Sequence, residues 1–480
     1  MFRNGSERAA ILGALLPDGE SHHSRVFALL GLAALGFLLS GCGGALGPAT
    51  VTVRIDRARV VRTVPRSFLG ISTEWDSVGA YAGRGDGLRR LLAPLVARTG
   101  GLALRIGGDT ADQAWWDPHG RPAPPAVLQD ITPATLAAVG RLARTLRGPV
   151  TLDVNLPLAD PGNARALVRA AARGLPAGAL DTVEIGNEPD LYTRGRVFRV
   201  PGHVHLRLRK RVRYGPALYR SDVLPYLSVL SRRPRPARHL AIGGFATRTW
   251  WPSLAATIGA AHGKVGALSA HLYALPRCGG SAPPVSWLLT SAASRDRAAT
   301  LAPLIAIARR QRLPVRVTEL NSAACGGRRG LSDSFASALW LTDTLFALLR
   351  DGVAQADVHT WAHARYSVFT VAGTRAAARP LLTGMTAFAR AAPPGSRLLS
   401  THVRADALRA WATVDRRGAE RVALLAPDAV IARVAGRRCA TAWLAGPRGM
   451  RTARVCPRRG RLAIGLQART MAVLTIAPAS

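Results

Sequence analysis

From residue 67 onward, short apolar runs rich in β-branched residues alternate with stretches of helical periodicity. The strand candidates are 68–73, 102–106, 150–155, 182–186, 240–244, 267–271, 315–318 and 356–360. Between them fall amphipathic or apolar helical segments. Thr132-Pro133 reads as an N-cap followed by proline at the first helical position, opening a helix to about Leu146. Residues 333–350 predict a second helix that stops before Asp351-Gly352. Eight strand–helix alternations predict a (β/α)8 barrel over roughly residues 66–379. A doubly wound open sheet is the competing topology, but no Gly-x-Gly-x-x-Gly follows the first strand.

The pattern changes after Pro380. Residues 380–480 open with one helix and continue as Val/Leu/Ala-rich strands punctuated by Gly and Pro, such as 421–425, 440–444 and 471–476. This predicts a C-terminal β-sandwich. A strand-like stretch at 51–65 precedes the barrel and is expected to join that sandwich.

The N-terminus reads as an address. Residues 26–39, VFALLGLAALGFLL, form an apolar run of signal-peptide length after Arg25, too short to span a bilayer comfortably. Leu39-Ser40-Gly41-Cys42 resembles the lipobox of bacterial lipoproteins. Residues 1–41 are thus expected to be removed, Cys42 lipidated and 42–50 left as a linker. The expected location is extracytoplasmic, with the cell envelope held through the lipid alone.

Composition narrows the class. The chain has 480 residues, 48% apolar and 19% charged, which excludes a disordered or fibrous protein. Beyond the N-terminal run no apolar stretch approaches membrane-span length, which excludes a polytopic membrane protein. The formal charge is +37, carried almost wholly by arginine, with Lys210 and Lys264 the only lysines. That bias fits a GC-rich codon usage better than selection for an acidic partner, and no helix-turn-helix or interleaved aromatic pattern points to nucleic acid. One stretch, 191–221, holds nine basic residues and no acidic one. With Cys42 set aside, four cysteines remain, an even number in an exported chain. Of three connectivities, Cys278–Cys325 with Cys439–Cys456 is favoured, the latter pair lying close together in sequence. No CxxC or HExxH spacing suggests zinc, and His203-x-His205 lacks a third ligand, so no metal or cofactor is expected.

Barrel chemistry collects at the C-terminal ends of the strands. The fourth candidate strand ends in Glu184-Ile185-Gly186-Asn187-Glu188-Pro189, and the seventh in Thr318-Glu319-Leu320-Asn321. Glycoside hydrolysis needs two such carboxyls, one to protonate the leaving oxygen and one to attack. Together with Leu104-Arg105-Ile106-Gly107-Gly108, Asp112, His271-Leu272-Tyr273, Gly326-Gly327 and Ser332-Asp333, this pattern resembles glycoside hydrolase family 79. That is the family of heparanases and bacterial β-glucuronidases, in clan A of the retaining enzymes. The resemblance spans about residues 51–480. It implies Glu188 as acid/base, Glu319 as nucleophile, Asn187 at the sugar 2-hydroxyl and Tyr273 donating to Glu319. It further implies Gly326, Gly327 and Tyr366 at a uronate carboxylate, with Asp112 and Asn155 lining the sugar site and Glu74 in a similar place. Ala324 and Cys325 depart from the family's pattern, which carries an aromatic and a glycine there.

The expected partner is therefore a uronic-acid-containing glycan. A clan A enzyme for a neutral sugar, a non-catalytic glycan-binding lipoprotein and a polyanion-binding surface protein are the competing functions. Trp115, Trp116 and Trp361 are candidates for an aromatic wall, or for core.

Overall fold

A computed structural model describes residues 48–83, 86–124, 127–194 and 214–478. The N-terminal address with Cys42, His203, His205 and most of the arginine-rich stretch lie outside the described residues.

Strand β1 (Ala49–Thr63) comes first, followed by β2 (Leu69–Glu74) and β3 (Leu102–Gly107). A small parallel pair, β4 (Ala114–Trp116) and β5 (Gln129–Ile131), decorates the loop after β3. Then come β6 (Arg147–Val154), β7 (Leu180–Ile185), β8 (His239–Phe245), β9 (Ala267–Leu275), β10 (Val315–Ala323) and β11 (Gln355–His359). Strands β2, β3 and β6 through β11 close into an eight-stranded barrel, all of its pairings parallel. The alternation read from the sequence is this barrel, strand for strand.

Local chemistry accounts for the helix ends. The Thr132 side chain accepts from the Thr135 N–H while Thr135 reaches back to the Thr132 N–H, and Pro133 leads the helix. The helix expected from residue 333 begins later, spanning Ala336–Asp351. Asp333 instead accepts from the Gly330 N–H at 2.6 Å, which holds its own residues in a turn. Gly352 stops that helix with φ of 108°.

A hairpin, β12 (Phe369–Ala372) with β13 (Arg375–Ala378), follows the barrel. The helix Pro380–Ala391 then leads to β14 (Arg397–His402), β15 (Arg409–Val414), β16 (Glu420–Ala426) and β17 (Val430–Ala435). The chain finishes with β18 (Ala440–Gly446), β19 (Gly449–Val455), β20 (Arg461–Leu466) and β21 (Thr470–Ile476). These strands and β1 run in the order β19-β18-β21-β16-β15-β14-β1-β17-β20. Strand β1 joins the two layers of the sandwich, parallel to β17 through its first half and antiparallel to β14 through its second.

Strand periodicity divides the apolar side chains between two cores. Val422 and Leu424 of β16 face the sandwich interior, whereas Ala423 and Leu425 pack on the barrel's cluster. The helix Ala336–Asp351 lies between, and its residues from Ala336 to Leu349 are all buried. A helix covered on both faces has no solvent stripe, hence its apolar run. At the seam Phe346 stacks on Trp411 with ring centroids 5.3 Å apart and 7° between planes. Asp343 accepts from Trp411 Nε1 at 2.8 Å and Ser294 Oγ at 2.6 Å. A disulfide joins Cys439 to Cys456 beside the β18–β19 hairpin, and another joins Cys278 to Cys325.

Truncating Phe346 to alanine removes a fully buried ring that contacts Trp411 and Phe388. Chemical denaturation should show a loss of about 3–5 kcal/mol.

Candidate active site

The barrel interior is polar from its middle upward. Arg105, on β3, is completely buried among oxygen acceptors. Its Nε donates to Glu184 at 2.6 Å, one terminal nitrogen to Ser72 (3.2 Å) and Glu319 (3.1 Å), the other to Asp153 (3.0 Å) and Asn187 (3.2 Å). Five side chains from five parts of the barrel wall thus converge on one guanidinium. Glu184 takes a further bond from Thr318 Oγ1 at 2.8 Å. Burial works against ionisation of Glu184, but Arg105, His271 and the Thr318 hydroxyl outweigh it and hold its carboxyl low.

Two backbone irregularities aim the reactive side chains. On β10, Val317 pairs with Ala270 and Glu319 with His271, so Thr318 is an extra residue against β9. A regular strand sends neighbours to opposite faces; this bulge lets Thr318 and Glu319 both enter the interior, one to Glu184 and one to Arg105. After β7 the chain turns at Gly186, with φ of 81°, where a Cβ would meet the Leu156 side chain at 2.7 Å. Glu188 follows in the left-handed region at φ 44°, held by its N–H to the Gly244 carbonyl at 3.0 Å. Such a conformation in a non-glycine residue is strained and persists where the surroundings fix it.

The result is a facing pair. Glu188, Glu319 and His271 each present a ligand atom within 4.8 Å of the others. His271 Nδ1 lies 2.8 Å from Glu188 Oε1 and 3.9 Å from Glu319 Oε2. Glu319 accepts a short hydrogen bond from the Tyr273 hydroxyl. Its side chain is 9% exposed and that of Glu188 17%. Burial would raise the Glu319 carboxyl, yet His359, His271, Arg105 and Tyr273 together hold it down at about 2. Glu188 moves the other way: burial raises it, Glu319 and Asp190 add to that, and the His271 bond only partly offsets them. Two carboxyls with pKa values pushed apart are what acid and nucleophile duties require. Among the described residues, these three side chains form the one set that converges closely enough to hold a cation.

The other residues read from the sequence take varied places. Asn187 sits beside the pair; its Oδ1 accepts from Arg105 and its Nδ2 donates to Asp109 at 3.2 Å. Asp112 lies beneath, accepting from the Asn187 N–H at 3.3 Å. Tyr273 and Tyr366 pack with ring centroids 6.1 Å apart, and Tyr366 also lies 5.7 Å from the His359 ring. Both tyrosines belong to the wall around Glu319. Gly327, with φ of 85°, would place a Cβ tightly at 3.0 Å from Ser332 and 3.1 Å from Tyr366. Gly326 receives the Arg365 N–H on its carbonyl at 2.7 Å. The Cys278–Cys325 bridge straps this loop to the one after β9, and Arg328 repeats the link through the Gly279 carbonyl at 2.6 Å.

Asn155 is not brought to the carboxylates. Its amide is spent on the carbonyls of Asp112 (2.7 Å) and Ala114 (3.0 Å), and its oxygen caps the Leu158 N–H (2.9 Å). Trp115 and Trp116 surround the same spot, with Trp116 buried. Trp361 is partly exposed and bonds Asp76. Glu74 accepts from the Asp109 and Thr110 N–H groups and approaches His359 Nε2 at 3.4 Å.

Sequence reading missed Arg105 as a hub, His271 and His359 as the charges flanking Glu319, and Asp109. Asp109 accepts from Asn187 Nδ2 and is more exposed than its neighbours; the enclosing protein, then Glu74, Glu188 and Glu319, push its carboxyl up. The Gly107-Gly108 pair was the available signal, since Gly108 admits no Cβ against Glu74 Oε1 (2.0 Å) and so brings Asp109 close.

No family model matches the chain, and neither does any curated protein. Solved structures do match. A 4-O-α-L-rhamnosyl-β-D-glucuronidase from Fusarium oxysporum 12S superposes with a TM-score of 0.70 at 19% identity, covering 89% of this chain and 100% of its own. The family 51 arabinofuranosidase from Xanthomonas axonopodis pv. citri gives 0.68 at 14% identity, over 89% and 99%. Cel44A, a family 44 endoglucanase from Clostridium thermocellum, gives 0.60 at 10% identity, again over 89% and 99%. This chain shares their fold, a (β/α)8 barrel joined to a β-sandwich.

One buried acid outside the facing pair offers a pH test. Asp357, fully buried near the barrel floor, bonds Gln355 Nε2 at 2.8 and 3.0 Å, and burial raises it from 3.8 to about 7. A raised carboxyl stabilises the fold below its unfolded pKa and loses that contribution as pH climbs through the folded value. Asp357→Asn should therefore flatten the fall in urea midpoint between pH 4 and pH 7.5 relative to the parent chain.

Proposed function

We propose that this protein is a retaining β-glycosidase of the β-glucuronidase type, belonging to glycoside hydrolase family 79. The carrying observation is the Glu188–Glu319 pair: oxygens within 4.8 Å, on the strand ends expected, with carboxyl pKa values displaced in opposite directions. Retaining enzymes hold their carboxyls about 5–5.5 Å apart, inverting ones about 6.5–9.5 Å, to leave room for water.

In this reading Glu319, kept anionic, attacks the anomeric carbon while Glu188 protonates the departing oxygen. A covalent glycosyl–Glu319 ester forms. Glu188, now a carboxylate, takes a proton from water, and that water cleaves the ester with net retention. Asn187 holds the sugar 2-hydroxyl, and Asp112 fixes the Asn187 backbone. Tyr273 steadies the Glu319 anion. A uronate carboxylate rests on the Gly326–Gly327 loop beside Tyr366, inside the strap made by Cys278 and Cys325. No cofactor takes part. The structural likeness to a rhamnosyl-glucuronidase supports a uronate substrate. We further infer that the chain works outside the cytoplasm, tethered by lipid at Cys42; the two disulfides support an oxidising location.

A neutral-sugar β-glycosidase is the second reading. It is favoured by Tyr366, which is buried and packed against Tyr273 and His359, and by Cys325 in the specificity loop.

The full chain should hydrolyse 4-nitrophenyl β-glucuronide in preference to the matched β-glucoside. Glu188→Gln should lower kcat by about 10²–10⁴-fold, and Glu319→Gln by at least as much. The reverse preference would transfer the assignment to the neutral-sugar enzyme; no turnover of either would end the glycosidase reading.

Tyr273→Phe removes a donor that holds Glu319 low. The acidic limb of the kcat/KM profile should move to higher pH, because more of Glu319 is then protonated at a given pH.

A further inference from the structure

Away from the barrel mouth, a groove of about 1380 Å³ runs along the seam between barrel and sandwich. Its walls carry six arginines, Arg54, Arg59, Arg295, Arg350, Arg404 and Arg409, against two aspartates, Asp343 and Asp406. The two aspartates offset only part of that charge. Asp343 has both oxygens engaged, by Trp411 Nε1 and Ser294 Oγ, and is 3.6 Å from Arg295. The Asp406 carboxylate stands fully in solvent, 3.6 Å from Arg409. Arg350 is committed to Asp351 at 2.7 and 3.1 Å.

Arg409 is the informative residue. It is only 7% exposed, and its terminal nitrogens reach the carbonyls of Asp406 (2.8 Å) and Leu289 (3.3 Å). Its Nε is buried with no acceptor, as is that of Arg295. Burial, then the neighbouring Arg295, pull the Arg409 pKa below the usual arginine value. Arg295 Nε has only the 3.6 Å contact to Asp343 and Arg409 Nε has no acceptor, so the two guanidiniums are left short of partners that an anion would supply. Guanidinium forks match the oxygens of carboxylate and sulfate groups.

We propose that this groove is a second, non-catalytic binding site for an acidic polysaccharide. One carboxylate or sulfate seats on the Arg295–Arg409 pair, and the next groups along the chain meet Arg54, Arg59 and Arg404. The choice of a glycan rests on the glycosidase reading; the anion site itself does not. Single-stranded nucleic acid fits poorly, since Trp411 is stacked beneath the groove on Phe346 and offers bases no open face. The groove also adjoins the catalytic strands. Arg295 opens the short helix Arg295–Ala299, and Arg297 of that helix donates to the Tyr273 carbonyl at 2.8 Å. A long acidic chain held here is kept beside the barrel while its end is processed.

The test is calorimetric titration of the full chain with oligoglucuronate (carboxylates only), dextran sulfate fragments (sulfates only) and neutral cello-oligosaccharides, at ~0.15 M salt. Arg54→Ser/Arg404→Ser changes two exposed positions, so folding is preserved. Arg295→Met probes the buried pair, and Arg433→Ser/Arg454→Ser removes equal charge from exposed sandwich positions elsewhere. Groove variants should bind at least one acidic chain about tenfold more weakly, with neutral chains not bound there. The Arg433/Arg454 variant should match the parent, and all should hydrolyse the small aryl glycoside as the parent does. Equal weakening in groove and control variants would reduce the effect to net charge and overturn the site, as would groove variants that bind like the parent. If aryl glycosides are never cleaved while the groove-specific loss remains, the catalytic reading falls and the binding site stands.

Discussion

Everything at the top of this barrel leans on the Arg105 guanidinium. A cation stripped of water survives only if its donors are met, and here Glu184, Asp153, Glu319, Ser72 and Asn187 meet them. Those acceptors come from β2, β6, β7, β10 and the loop after β7. One side chain therefore sets the separation of strands from opposite sides of the barrel, and at the same time supplies positive charge to Glu319. Barrel closure and ionisation of the nucleophile candidate share a cause. The arrangement also explains an interior that departs from the usual layers of branched apolar residues. Once Arg105 is inside, its partners must be inside too.

The charge balance decides which carboxyl can ionise. Three cationic or potentially cationic groups, Arg105, His271 and His359, surround Glu319, and each favours its anion. Glu188 touches only His271 and faces Glu319 itself. The two glutamates differ through their neighbours rather than through their own burial, which by itself would raise both. The bulge at Thr318 is what makes the difference possible. Without the extra residue, Thr318 and Glu319 would point to opposite faces, and either Glu184 would lose the Thr318 hydroxyl or Arg105 the Glu319 carboxylate.

Much of this was legible in the residues, for identifiable reasons. Barrel strands buried on both faces are nearly continuous apolar runs, so all eight stood out. Glu188 and Glu319 stood out because a carboxylate at the end of such a run is costly. The pairing of Cys278 with Cys325 and of Cys439 with Cys456 followed from number and spacing. Extent was harder: β9 and β10 run on past His271 and Thr318, so Tyr273 and Glu319 lie within strands rather than after them. Polar residues that face a polar interior look like loop, which hid those ends. The hub role of Arg105 was invisible because its partners are 33 to 214 residues away in sequence. Asn155 reads from the sequence as lining the sugar site with Asp112, and only the fold shows its amide serving the carbonyls of Asp112 and Ala114 instead.

The first strand has a consequence for how this molecule can be divided. Strand β1 is the piece that makes two layers one sheet, yet its partners β14 and β17 are synthesised only after the whole barrel. A fragment holding only the C-terminal strands would expose two open edges where β1 belongs, an invitation to pair with other chains. The sandwich is thus no portable appendage that could be grafted or deleted at the boundary near residue 380. Its oldest strand in the chain waits unpaired for the youngest ones, and the barrel is the loop that their meeting closes.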